Sequence, residues 1–150
     1  MNRFNQYLIV VIRIVLGSIF LWASFDKIID PAKFARSIAN YHVLPFGIEN
    51  TIAIVLPWLE LFIGSGLILG IMVDGGIVIT SSLLVMFNLM IAQAILRGFN
   101  IECGCGLKEG QLVGIEKIFE NFVLLGGAYI LYIRDKKILE IFPKTNLSDN

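Results

Sequence analysis

Charge is scarce in this 150-residue sequence. Asp, Glu, Lys and Arg make up only 16% of it, and the acidic and basic side chains cancel to a formal net charge of zero. A chain without basic excess lacks the electrostatic footprint of a nucleic-acid binder, so that partner class is excluded. Histidine occurs once, as His42, and cysteine twice, as Cys103 and Cys105. A four-ligand zinc site would therefore need His42 or a second chain to complete it. Sequence repeats and low-complexity segments are missing. So is a small-x-small cleavage site after the first apolar run, which reads as a retained transmembrane helix and not a secretory signal.

What the chain has in excess is apolar residues, 57% of the total, and they come in blocks. Blocks of this length belong to membrane proteins and not to soluble cores. The length suits one domain. The first run, Tyr7 to Phe25, is about 19 residues, enough to cross about 30 Å of hydrocarbon. Arg13, Gly17, Phe20, Ser24 and Lys27 recur on it at helical spacing, a stripe expected to face other helices. Spans are further expected at 52–72, 77–96 and 118–132, the last starting as early as Gly114, with a frayed polar tail over 133–150. Tyr7, Trp22, Phe25, Trp58, Phe99, Tyr129 and Tyr132 fall near the run ends, where amphipathic rings settle at a membrane interface.

Between the first two runs, Asp30-Pro31 marks a helix start, with aspartate as cap and proline at the first position. Residues 32–41 then read as a short amphipathic helix on the membrane surface, ended by Leu44-Pro45-Phe46-Gly47. Gly66-x-x-x-Gly70 offers a close helix approach, and Val73-Asp74-Gly75-Gly76 a tight turn between antiparallel neighbours. The expected fold is all-α: an integral membrane four-helix bundle with an interfacial helix after the first span. Basic residues divide almost evenly between the two sides, so charge alone does not orient it.

Polar groups inside spans are costly, and each needs a partner or a function. Glu60, Gln93, Glu120, Asn121, Asp26 and Lys27 all fall in the half of the bundle nearest the two long loops. Arg13, Asn88 and Glu60 read in part as glue between helices, with Arg13 long enough to bridge part of the distance to Glu60. Glu60 also suits proton transfer. His42 lies on the interfacial segment and reads as a surface residue.

Over the same half hangs Cys103-Gly104-Cys105-Gly106, holding both cysteines. Three readings are open: a labile disulfide suited to thiol exchange, half of a metal site, or two unrelated thiols. A bridge across one residue would be strained and oxidising. So short a loop removes almost no entropy from the unfolded chain, which argues against bracing.

In this order and spacing, four segments resemble the DoxX/MauE group of small redox-associated membrane proteins over about Ile12 to Tyr132. They are Ser24-Phe25-Asp26-Lys27-Ile28-Ile29-Asp30-Pro31 with Phe34, Tyr41 through Leu44-Pro45, Pro57-Trp58-Leu59-Glu60, and Cys103-Gly104-Cys105-Gly106. The Cys-Gly-Cys segment leans toward the MauE-like branch. Two positions depart from the group: Gly106-Leu107 follows the cysteines where an aromatic is expected, and Glu120 replaces a basic residue before Asn121.

The resemblance implies an inner (cytoplasmic) membrane protein with the cysteine loop outside the cytoplasm. It implies a Cys103/Cys105 redox pair exchanging electrons with a thioredoxin-fold partner, as in maturation of methylamine dehydrogenase. DoxX proteins proper are linked to thiosulfate oxidation coupled to quinone, which makes a quinone the cofactor to consider, with Glu60, Lys27 and Asn121 as its binding residues. No metal is expected. A homo- or hetero-oligomer is compatible with this reading. The competing class is a non-enzymatic membrane anchor or assembly subunit of a redox complex.

Overall fold

A computed structural model describes residues 3–41, 47–98, 115–134 and 140. They form five helices: α1 (Arg3–Ile29), α2 (Pro31–Asn40), α3 (Ile48–Leu69), α4 (Val73–Leu96) and α5 (Ile115–Tyr132). Among the described residues the fold is all-helical. Three helices are long and apolar enough to cross a membrane, over Tyr7–Ile29, Ile48–Leu69 and Val73–Leu96. Only 28–39% of each apolar window is buried within the chain, so most of it faces outward. An apolar exterior of that extent is stable in hydrocarbon and not in water. Helix α5 has 18 residues, with Glu116, Lys117 and Glu120 among its first six. That charge at its start distinguishes α5 from the three apolar helices.

The Asp30-Pro31 start is realised as the sequence implies. The Asp30 side chain accepts the Lys33 N–H at 2.8 Å, with proline opening α2. Phe34, Ala35, Ser37 and Ile38 form the buried face of α2, which rests mainly on α3. Tyr7, Trp22, Phe25, Trp58, Tyr129 and Tyr132 are all exposed, as interfacial rings would be.

Helix packing follows the small residues. The predicted stripe of Arg13, Gly17, Phe20, Ser24 and Lys27 is buried throughout. The most extensive interface is α1 against α3, and α5 packs on both α1 and α4. At the first of these a methyl group built on Gly17 would lie 2.8 Å from the Gly64 carbonyl oxygen. The Gly66/Gly70 pair does not make this approach. Gly70 instead ends α3 in the left-handed region at φ 75°, its N–H donating to the Gly66 carbonyl.

Several boundaries differ from the sequence expectation, and those at the starts of α3 and α4 have a local cause. Helix α3 starts at Ile48, where the Glu49 carboxylate accepts the Gly47 N–H, so Pro57 lies well inside the helix. Helix α4 starts at Val73, because Gly70 and Met72 (φ 49°) reverse the chain before the Asp74-Gly75-Gly76 segment, which is already helical. Past Tyr132, two described residues are tied down instead of frayed. Arg134 pairs with Asp74 at 2.7 Å and with Glu140 at 2.6 Å, its side chain 2% exposed.

Candidate functional site

Lys27 stands near the end of α1 and Glu60 in the middle of α3, held in register by the Gly17–Gly64 contact one to three turns away. The Lys27 Nζ lies 2.7 Å from both Glu60 oxygens. Both residues are almost completely buried, Lys27 at 4% and Glu60 at 1% exposure. The ammonium also sits 5.1 Å from the ring centre of Phe34 on α2 and 5.3 Å from that of Phe87 on α4. Aromatic faces attract a cation, and more so when water is excluded. Four helices therefore meet around one ion pair. From the sequence, Arg13 is expected to reach part of the way to Glu60. Arg13 is buried within electrostatic reach of Glu140 and Arg134.

The ion pair lines a small, partly open cleft. Its walls are apolar: Ile19, Phe20, Ala23, Leu84, Phe87 and Leu124. Lys117, Glu120 and Asn121, from the start of α5, supply the remaining polar groups. Lys117 is 7% exposed and donates to Glu120 Oε2 at 2.7 Å, whereas the Glu120 side chain is 47% exposed.

Of the residues singled out in the sequence, Glu60, Lys27, Asn121 and Glu120 are brought together here, while Gln93 and Asp26 are not among the lining residues. Cys103, Cys105 and His42 lie outside the described residues. Asn88 Oδ1 and Thr80 Oγ1 are buried on α4 without a hydrogen-bond partner among the described residues. Sequence reasoning missed Lys117 and Phe87, and named Phe34 only within the family resemblance and not as a site residue. Lys117 reads as the last residue of a polar loop, and only its position one turn before Asn121 signals a shared face.

Tyr41, which caps α2 outside the candidate spans, is 5% exposed. Burial penalises its phenolate and pushes the phenol up to about 12. Among the described residues, no group of three or more His, Cys, Asp or Glu is arranged to hold a metal.

An apolar cleft with few converging polar groups is the usual form of a small-molecule site. Comparisons with known proteins show which sequences this chain is similar to. The family model described as "Methylamine utilisation protein MauE" matches residues 5–134. The Methylamine utilization protein MauE of Paracoccus denitrificans is 32% identical over 117 residues, covering 75% of this chain and 62% of that protein. Its namesake in Methylorubrum extorquens is 33% identical over 91 residues, 58% of this chain and 49% of the relative. That of Paracoccus versutus is 31% identical over 128 residues, covering 80% and 68%. The chain thus spans about half to two thirds of the length of these relatives. No solved structure matches it. With most of its length matched by one family model and by several relatives, the chain belongs to the MauE family.

Proposed function

We propose that this chain is an inner-membrane thiol-disulfide redox protein. Its helices α1, α3, α4 and α5 cross the bilayer as a four-helix bundle, α2 lies on the surface, and Cys103 and Cys105 face outside the cytoplasm. The partner is a thioredoxin-fold protein, and the setting, taken from the relatives' names, is methylamine utilisation. In the exchange a partner thiolate attacks one sulfur of the Cys103–Cys105 disulfide, forming a mixed disulfide. The second partner thiol then displaces it. The partner leaves as a disulfide and the pair as a dithiol, with two electrons and two protons transferred.

The observation that carries this reading is the convergence of Lys27, Glu60, Lys117, Glu120 and Asn121 in one apolar cleft at the start of α5. The cysteine segment precedes that helix in the sequence, which supports a reading in which the pair and the cleft share one side. The cleft also fits a quinone: its walls are apolar, and Lys117 and Asn121 offer donors for carbonyl oxygens. When bound there, a quinone supplies a two-electron acceptor. The Lys27–Glu60 pair gives the cleft a fixed polarity.

Replacing Cys103 and Cys105 together by serine tests the redox role. The variant is expected to insert normally and retain its partner, yet to leave the partner's disulfide state uncoupled from the membrane. Full function of the double variant would support the anchor or assembly reading instead.

A further inference from the structure

The cleft contains two lysines in different situations. Lys27 is saturated: both Glu60 oxygens lie at 2.7 Å, and two aromatic rings cover the ammonium. Lys117 is nearly as buried, at 7% exposure, but its one hydrogen bond among the described residues goes to Glu120 Oε2. An ammonium carries three donors, and buried donors are as a rule satisfied. Among the described residues two donors of Lys117 are left without a partner, beside a cleft that Lys117 itself lines.

Its partner is the weak member of the pair. The Glu120 side chain is 47% exposed at the protein surface, so little of the protein holds it in place. Nothing similar holds for Glu60, which is 1% exposed. Asn121, the next residue along α5, adds an amide donor to the same cleft. The apolar walls exclude a freely soluble polar metabolite and favour a molecule that partitions into the bilayer.

We infer that Lys117 is the recognition residue of the cleft: it binds the acceptor oxygen of an apolar, membrane-soluble molecule, and Glu120 is the counterion it releases. This rests on the reading of the cleft as a ligand site given above. Lys27 and Glu60 form the fixed floor and make no exchangeable contact. The shared chemistry is an oxygen acceptor at the head of an apolar body, which a neutral carbonyl or a lipid carboxylate can each supply.

The test is equilibrium binding to the full chain in nanodiscs, with radiolabelled decylubiquinone as the neutral probe and oleate as the anionic one. Lys117→Met, Lys117→Arg and Glu120→Gln are compared with the unaltered protein, and thermal unfolding confirms that each variant is folded. Lys117→Met is expected to weaken probe binding at least tenfold. Lys117→Arg should retain part of it, and Glu120→Gln should bind as tightly as the unaltered protein or tighter, since a competing counterion is removed.

Binding that is unchanged in Lys117→Met overturns the inference while leaving the cleft a ligand site. Equal loss in Glu120→Gln and Lys117→Met also overturns it, because the intact pair and not the lysine would then be required. Lys117-dependent binding of oleate alone supports the inference and removes the quinone from the proposed function. Failure of the unaltered protein to bind either probe overturns both.

Discussion

Gly17 on α1 and Gly64 on α3 lie so close that a methyl group on either would fall 2.8 Å from the other's carbonyl oxygen. Backbone cannot retreat as a flexible side chain can, so this contact fixes the spacing and register of the two helices. Gly17→Ala and Gly64→Ala are each expected to destabilise the protein by about 1–3 kcal/mol through overpacking. Gly126→Ala on α5, where a methyl group meets nothing within 4 Å, should be neutral or stabilising by about 0.5–1 kcal/mol. Thermal unfolding of the three variants in one detergent separates the two behaviours.

That register sets Lys27 opposite Glu60. Removing one member leaves an uncompensated buried charge, so Lys27→Met or Glu60→Leu alone should cost about 3–5 kcal/mol. The double variant should recover most of that loss, since two apolar side chains replace a desolvated pair. A double-mutant cycle measured by unfolding reads the coupling directly. Additive losses would contradict the pairing.

Several of these features were legible in the sequence and others were not. Asp30-Pro31 announces α2 because a capping carboxylate and a proline both act locally. The buried stripe of α1 follows from helical periodicity alone. Lys27, Glu60 and Asn121 were each legible as costly polar groups in or near apolar runs. Which of them pair was not, because register between helices depends on where backbones approach. The Gly66/Gly70 spacing suggested one approach, and the chain uses Gly17 and Gly64 for it. The start of α4 was misplaced for a related reason: Met72 adopts a left-handed conformation that its residue type does not announce.

The α2 cap gives a local prediction. Asp30→Ala removes the acceptor for the Lys33 N–H and should cost about 1 kcal/mol. Hydrogen exchange at the first amides of α2 should accelerate, with little change in α1. Asp30→Asn, which keeps an acceptor oxygen, should restore most of the protection.

Tyr41 provides a pH dependence. Its phenol is pushed up to about 12 by burial, above the unfolded value of about 10. The folded state therefore favours the neutral form. The stabilisation is fully present below the unfolded value and is lost as the pH rises from about 10 toward 12. The loss should be on the order of 2 kcal/mol. Tyr41→Phe should flatten the alkaline fall in stability, measured by denaturant unfolding across that range. An unaltered fall would assign it to other groups.

The central claim is that Cys103 and Cys105 form an oxidised pair outside the cytoplasm. It is tested most directly by labelling intact cells with a bulky, membrane-impermeant maleimide, with and without prior reduction. Cys103 and Cys105 are the two cysteines of the chain, so the gel shift counts them. The account predicts two labels after reduction and none before it. Labelling only after the cells are lysed, or ready labelling of both thiols without reductant, would contradict it.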